Sequence, residues 1–161
     1  MSIDALAKAI VDGRWVDAES LLEDTPLPRP LSPPGKGEKK ELDQLLSAGQ
    51  TLLQLAVEAR YPAFLRRLLD AGADPNRPNL DGDTPLIVSC RGDFAVETGI
   101  LLEAGADPNY RTESGWTALR CAAKDRNYAA VRILLAKGAI VDTPEPWSTA
   151  LDAFVQAVAS E

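Results

Sequence analysis

The chain has 161 residues, of which 45% are hydrophobic and 25% are charged. This balance is ordinary for one soluble globular domain, so length and composition argue against a disordered chain. The formal net charge of −7 argues against nucleic-acid binding, because such binding relies on clustered Lys and Arg side chains that neutralise phosphates. An acidic surface of this kind suits a basic protein partner, or serves solubility alone.

The amino-terminal stretch MSIDALAKAIVDG lacks the basic segment and the continuous apolar run of a secretory signal. No later stretch approaches the roughly 18 uninterrupted apolar residues that a membrane-spanning helix needs. The two cysteines do not make a disulfide framework. We therefore expect a cytoplasmic protein that has no membrane partner and is monomeric when free.

The first third of the chain combines helical patterns with a proline-rich stretch. Residues 3–23 place apolar side chains at helical spacing on both sides of a break at Asp12-Gly13, which predicts a helix pair. Residues 24–40 contain five of the twelve prolines, so we interpret them as an inserted surface loop, with a polyproline ligand as the alternative. Residues 41–48 are predicted to form a short helix with its leucines facing the core.

An internal repeat organises the rest of the chain. Four threonines recur at separations of 33, 33 and 32 residues, and three glycines recur at separations of 33 and 33: Thr51, Thr84, Thr117 and Thr149, then Gly72, Gly105 and Gly138. A threonine hydroxyl can accept a hydrogen bond from a backbone N–H at the start of a helix. A glycine can adopt the left-handed conformation that ends one. The spacing therefore predicts a series of helix pairs.

This 33-residue period, with Thr-Pro-Leu opening one helix and Gly-Ala-Asp-Pro-Asn ending the next, resembles the ankyrin repeat. The resemblance implies an all-α fold: an ankyrin-repeat solenoid of stacked helix-turn-helix units with projecting β-hairpin-like turns. Terminal repeats of such a stack are atypical, because one face meets water instead of a neighbour. Within a single domain, 1–161, we expect a degenerate N-terminal pair at 3–23, the inserted loop at 24–40, repeats at 41–82, 83–115 and 116–142, and a C-terminal cap at 143–161.

The chain departs from the family pattern in two places. The family usually has a histidine three residues after the threonine, where it helps to bridge adjacent repeats, and this chain contains no histidine. Other residues stand there: Gln54, Ile87, Arg120 and Asp152. In the helix after Phe94, Glu97 and Thr98 replace two valines, and Gly99 costs about 1 kcal/mol relative to alanine. We expect this helix to be the loosest.

The sequence contains little that could carry chemistry. The absence of histidine excludes imidazole bases, catalytic triads that use histidine, and metal sites that need it. Cys90 and Cys121 replace small residues on neighbouring first helices, so we interpret them as buried, inert thiols rather than a redox pair. Asp81 and Asp83 on one turn could act as general acid and base, but acidic turn residues are common. We expect no enzyme, no cofactor and no metal.

The resemblance also implies where a partner binds. Ankyrin repeats usually hold partners with their turn tips and with the exposed side of the first helices, which together form a concave face. By position, this selects Glu58, Pro78, Leu80, Asp81, Asp83, Arg91, Arg111, Glu113, Trp116, Lys124 and Trp147. Trp116 occupies a turn position that has no obvious structural duty, and tryptophan is enriched among binding hot spots. The alternative is a ring packed flat against its neighbouring turn.

The function that the resemblance implies is a non-enzymatic protein–protein interaction module that binds one protein partner. The first alternative is a small inhibitor or immunity-type protein that neutralises a toxin or enzyme by occlusion. The second, which rests on Cys90 and Cys121, is a cysteine-based redox protein.

Overall fold

A computed structural model describes residues 3–14, 16–18, 20, 43, 45–46, 48–141 and 157. The helices with defined bounds are α1 (Ile3–Val11), α2 (Leu52–Glu58), α3 (Pro62–Asp70), α4 (Pro85–Arg91), α5 (Ala95–Glu103), α6 (Ala118–Lys124) and α7 (Tyr128–Ala136). No β-strand occurs in this part of the chain, so the predicted all-α fold class is confirmed. None of the helices described there is long and apolar enough to cross a membrane.

Each repeat opens with a threonine that caps its first helix. The threonine hydroxyl oxygens accept hydrogen bonds from backbone N–H groups three residues later: Thr51 from Gln54 at 3.2 Å, Thr84 from Ile87 at 3.4 Å, and Thr117 from Arg120 at 3.2 Å. At Thr51 the side chain of Gln54 returns a bond to the backbone N–H, which completes a capping box. The predicted helix starts are therefore confirmed.

A glycine with a positive φ angle stands two residues after the end of each second helix. Gly72, Gly105 and Gly138 have φ values of +94°, +90° and +85°. In this left-handed region a residue without Cβ avoids the steric cost, so the chain can leave the helix and enter the next turn. The second helices thus end where the repeat pattern predicts.

The helix pairs stack in chain order around one continuous core. The first helices α2, α4 and α6 pack on one another in sequence, the second helices α3, α5 and α7 do the same, and α1 packs on α2. Two series of leucines at the 33-residue register are buried throughout: Leu53, Leu86 and Leu119 on the first helices, and Leu68, Leu101 and Leu134 on the second. Because each repeat shares its apolar faces with its neighbours, no single pair could bury its core alone.

Asparagine side chains join consecutive repeats just after the second helices. Asn76 Oδ1 accepts a 2.7 Å hydrogen bond from the backbone N–H of Asp107, and Asn76 Nδ2 donates at 3.1 Å to the carbonyl of Gly105. Asn109 makes the same two bonds one repeat further on. Asp43, which lies 33 residues before Asn76, also accepts a backbone N–H bond from the following repeat. These bonds satisfy backbone groups of each repeat with a side chain from the previous one.

The same backbone hydrogen bond closes the turn of each repeat. The N–H groups of Leu46, Asn79 and Thr112 donate to the carbonyls of Gln50, Asp83 and Trp116 at 2.7, 3.0 and 2.9 Å. Leu46 therefore belongs to a turn, and none of the described residues 43, 45, 46 and 48 is helical. The short helix predicted over 41–48 is wrong at these residues, because the 33-residue register makes them the counterpart of the later turns.

The described helix pairs lie within the predicted repeats 41–82, 83–115 and 116–142, while the exact domain boundaries stay a prediction. At the amino terminus, Gly13 has a φ of +69° at the predicted break and residues 16–18 are helical again. The inserted loop predicted over 24–40 lies outside the described residues. So does the C-terminal cap predicted over 143–161, apart from Ala157.

Candidate interaction surface

In each repeat a residue at the base of the turn contacts a residue eight positions later, at the end of the first helix. We call these contacts the three turn–helix pairs: Gln50–Glu58, Asp83–Arg91 and Trp116–Lys124. Both members recur at 33-residue intervals, and α2, α4 and α6 pack in order. The three pairs therefore lie side by side in a row, at equivalent positions but with different chemistry.

The first turn–helix pair leaves a carboxylate exposed. Gln50 Nε2 donates a 2.9 Å hydrogen bond to Glu58 Oε1. Glu58 is exposed at the end of α2. Because the amide of Gln50 is neutral, it orients the carboxylate without cancelling its charge. The row therefore begins with one negative charge that is available to a partner.

The second turn–helix pair is an ion pair with one buried member. Arg91 donates two hydrogen bonds to the carboxylate of Asp83, one of them from Nη2 to Oδ1 at 3.1 Å. The side chain of Asp83 is 8% exposed and that of Arg91 is 46% exposed. Asp83, which we expected on the partner-binding face, is instead buried, because its carboxylate folds inwards to Arg91. Of this pair, only Arg91 can meet a partner directly.

The third turn–helix pair is centred on an aromatic ring. The guanidinium carbon of Arg120 lies 5.2 Å from the centre of the Trp116 ring, and Lys124 Nζ lies 5.1 Å from it, both within cation–π range. Trp116 is half-buried and packs against the core, and its backbone N–H donates to Thr112 Oγ1 at 2.9 Å. The expectation that this ring has no structural duty is therefore wrong. It packs within the third repeat while lying beside two cations.

A small cavity lies between the second and third turn–helix pairs. Its volume is about 180 Å³, and its lining residues are Arg91, Trp116, Cys121, Lys124 and Asp125. Two cations and one carboxylate thus surround a recess next to the tryptophan ring. A recess of this size admits one side chain, whereas a whole helix, about 10 to 12 Å across, would not enter it.

Both cysteines are free and buried, as predicted. Burial raises the pKa of Cys90 to about 12, although the hydroxyls of Ser89 and Thr98 oppose the shift. Burial also raises the pKa of Cys121, and the nearby Arg91 guanidinium opposes it. The thiolate is the nucleophilic form of cysteine, so a raised pKa makes both thiols poor nucleophiles. These surroundings favour a structural role over redox chemistry.

The remaining predicted residues lie around the row. Leu80 is 76% exposed, but its side chain also covers Gly49, where a Cβ atom would come within 2.6 Å of it. The turn residues Asp81, Arg111 and Glu113 are exposed, Pro78 is half-buried, and Trp147 lies outside the described residues. The structure thus places Glu58, Arg91, Trp116 and Lys124 in one row, whereas Asp83 is withdrawn into an ion pair.

Sequence reasoning missed two members of this surface, Gln50 and Arg120. Arg120 replaces the family histidine in the first turn of α6, and its guanidinium reaches back to the ring of Trp116, which precedes that helix. Gln50 stands 33 residues before Asp83 and 66 before Trp116, so the repeat register contained the signal. Within the residues that the structure describes, no group of three or more Cys, Asp or Glu side chains is placed to hold a metal ion.

Comparison with known proteins agrees with this architecture. Residues 53–145, more than half of the chain, match the family model described as ankyrin repeats in three copies. A stretch of 66 residues, 41% of the chain, is 38% identical to neurogenic locus notch homolog protein 4 of Homo sapiens. The chain spans 3% of the length of that relative. With its helix pairs, threonine caps and left-handed glycines in the matching register, the chain belongs to the ankyrin-repeat family.

Proposed function

We propose that this chain is a non-enzymatic module that binds one protein partner across its turn tips and first helices. Ankyrin repeats are generally protein–protein interaction modules. The observation that carries the proposal is the row of three turn–helix pairs. They occupy equivalent scaffold positions yet expose a carboxylate, a guanidinium, and an aromatic ring with an ammonium. Because the three repeats fold alike with different side chains at these positions, the side chains there can differ to suit a partner.

Trp116 and its neighbours supply the contacts that concentrate binding energy. Tryptophan and arginine are enriched among hot-spot residues, which lie in well-packed pockets. The ring of Trp116 is already held by the core and by two cations. Ordering it on binding therefore costs little conformational entropy. Lys124 and Arg91 stand beside it as donors for polar groups of the partner.

We further propose that the module acts in the cytoplasm as a monomer, with neither nucleic acid nor membrane as partner. Two unpaired, buried cysteines suit a reducing compartment. The net charge of −7 opposes binding to phosphates. Light scattering at micromolar concentration should give the mass of one chain, and a concentration-dependent dimer would contradict this assignment.

The test begins with affinity capture from the native cell and continues with calorimetry on the captured protein. Because Trp116 also packs in the fold, the first variant is Lys124→Ala, which leaves the core intact. We expect Lys124→Ala to lower the affinity for the captured partner by about tenfold or more, since truncating a polar contact beside a hot spot costs roughly one to a few kcal/mol. The matched control is Arg132→Ala, which removes an exposed cation from α7, on the second-helix side.

Two results would count against the proposal in different ways. If Lys124→Ala and Arg132→Ala bind the captured protein equally well, the partner uses another surface. If nothing captured is released by an excess of soluble chain, the chain is not a protein-binding module. Circular dichroism of each variant separates both results from a loss of folding.

A further inference from the structure

The three turn–helix pairs differ in net charge from one end of the row to the other. Gln50–Glu58 carries one negative charge, and Asp83–Arg91 is neutral as a pair. Trp116–Lys124 carries one positive charge, with the guanidinium of Arg120 on the same ring adding a second. The charge of these pairs therefore changes from negative at Gln50–Glu58 to positive at Trp116–Lys124. A partner with the opposite order of charges matches this row in only one direction.

The positive end of the row has unused hydrogen-bond donors. Lys124 Nζ contacts the face of the Trp116 ring, and it makes no hydrogen bond or ion pair within the described part of the chain. Arg91 is 46% exposed and lines the same cavity. Lys124 and Arg91, whose charge Asp83 already balances, both line the recess of about 180 Å³, and both can donate hydrogen bonds to one carboxylate side chain there.

Asp125 limits the attraction of this cavity for an acidic group. Its carboxylate lines the recess beside Lys124 and Arg91. A carboxylate in the same lining repels an entering carboxylate, so Asp125 makes the site weaker than Lys124 and Arg91 alone would make it. Removing the charge of Asp125 should therefore strengthen the binding of an acidic side chain in this cavity.

The spacing of the row sets the length of the matching segment. Neighbouring packed helices are about 8 to 10 Å apart, so Glu58 and Lys124 are separated by roughly 16 to 20 Å. An extended chain rises about 3.3 Å per residue and turns alternate side chains to the same side. Two side chains about six residues apart on an extended peptide would therefore reach both ends of the row from one face.

From these observations, and resting on the proposed function, we infer that the partner presents an extended peptide segment with two opposite charges. Its acidic side chain enters the cavity between Arg91 and Lys124, and its basic side chain, about six residues away, pairs with Glu58. The order of the two charges fixes the direction in which the segment lies across α2, α4 and α6. Trp116 contributes apolar contact beside the acidic side chain.

The experiment uses random peptides displayed on phage and selected on the immobilised full chain. Peptides enriched on the wild type should carry an acidic and a basic residue about six positions apart, in one consistent order. The variant Glu58→Lys with Lys124→Glu reverses the polarity of the row without changing net charge, and it should enrich peptides with the opposite order. A synthetic peptide from the wild-type selection should bind this variant at least about tenfold more weakly.

A matched control reverses an ion pair elsewhere on the molecule. Arg66 and Glu103 form an exposed pair, 3.6 Å apart, between α3 and α5. Arg66→Glu with Glu103→Arg also reverses two charges at constant net charge, and it should leave the selected order unchanged. Asp125→Asn should raise the affinity for the peptide selected on the wild type by about threefold, because it removes the repelling carboxylate from the cavity.

The outcomes separate this inference from the proposed function. The inference is overturned if the selected peptides show no consistent order of charges, or if the Glu58→Lys, Lys124→Glu variant selects the same order as the wild type. If such peptides still lose affinity for Trp116→Ala, the proposed binding face remains supported. Peptides that bind Trp116→Ala and the reversed variant as well as they bind the wild type would overturn both. A selection that enriches no peptide also counts against the inference, since the row would then recognise no short segment.

Discussion

The side-chain amide of Gln54 donates a 2.6 Å hydrogen bond to the backbone carbonyl of Asp83 in the next repeat. Gln54 is fully buried, and its Oε1 accepts a 2.9 Å bond from the backbone N–H of Thr51. Gln54 stands where the family usually has a histidine. At this interface a glutamine thus makes the bridge between repeats, while the buried Ile87 occupies the equivalent position one repeat later.

We predict that Gln54→Leu lowers the free energy of unfolding by about 2 to 3 kcal/mol. The change leaves the N–H of Thr51 and one lone pair of the Asp83 carbonyl without partners in a buried place. Gln54→His should cost less, because an imidazole N–H can still donate to that carbonyl. Chemical denaturation measures both, with Ile87→Leu as a volume-conserving control below about 1.5 kcal/mol. Equal losses for histidine and leucine would show that the hydrogen bond is not what stabilises this interface.

Ser89 and Thr98 form a buried polar contact between α4 and α5. Their hydroxyl oxygens are 2.9 Å apart. Ser89 Oγ also lies within hydrogen-bond distance of the carbonyl of Leu86, and Thr98 Oγ1 within that of the carbonyl of Phe94. Two hydroxyl hydrogens serve three contacts, so one contact always lacks a proton. We predict that Ser89→Ala combined with Thr98→Val leaves stability within about 1 kcal/mol of wild type, because both polar groups leave together.

The single substitution Thr98→Val should cost about 0.5 to 1.5 kcal/mol, since it leaves the hydroxyl of Ser89 facing a methyl group. A double-mutant cycle by urea denaturation measures the coupling between the two side chains. If the two single losses simply add, the hydroxyls do not interact and the contact has no energetic role.

Gly99 weakens α5 without a structural need for glycine. A Cβ atom added there would meet nothing within 4 Å, and Gly99 has no positive φ angle. We predict that Gly99→Ala raises the free energy of unfolding by about 1 kcal/mol. In the wild type, amides of α5 should exchange faster than those of α7, and Gly99→Ala should slow the exchange of α5.

Gly105→Ala is the control for Gly99, because Gly105 has a φ of +90° at the end of the same helix. An alanine there is strained, so this variant should lose roughly 1 kcal/mol or more. Hydrogen exchange that is slower in α5 than in α7 would show that tertiary packing outweighs helix propensity here.

The buried thiol of Cys90 should make stability fall at alkaline pH. Burial raises the pKa of Cys90 to about 12 in the folded chain, whereas an unfolded cysteine has a pKa of about 8.5. Below about pH 8.5 both states keep the proton; above it the unfolded state releases the proton first, so stability falls until the folded pKa is reached. At pH 10 we expect Cys90 to account for about 1 to 2 kcal/mol of lost stability relative to pH 8.

The measurement compares the pH dependence of unfolding for the wild type and Cys90→Ala. The wild type should lose more stability than the variant between pH 8 and 10, roughly by the amount above. Cys121→Ala should remove less of the alkaline loss, because Arg91 opposes the raised pKa of that thiol. Parallel curves for the wild type and Cys90→Ala would show that Cys90 ionises equally easily in both states.

Much of the scaffold follows from the sequence because it depends on short-range interactions. A threonine caps a backbone N–H only three residues away, and a glycine sets its own φ angle at the helix end. The 33-residue register then identifies the buried leucines without further information. The same register also marked Leu46 as a turn residue, but helical spacing of the nearby leucines favoured the wrong prediction of a helix.

The binding face depended on tertiary structure, because its members meet across a turn and between helices. Asp83 is polar and adjacent to a turn, yet Arg91, eight residues later, reaches back and withdraws its carboxylate from solvent. The packing role of Trp116 depends on the fold, because the helix that follows it places Arg120 and Lys124 against its ring. The sequence by itself determined the repeat, its helix ends and its core. Which charges remain exposed was decided only in the folded chain, because a charge is removed from the surface only when its partner is close enough to pair with it.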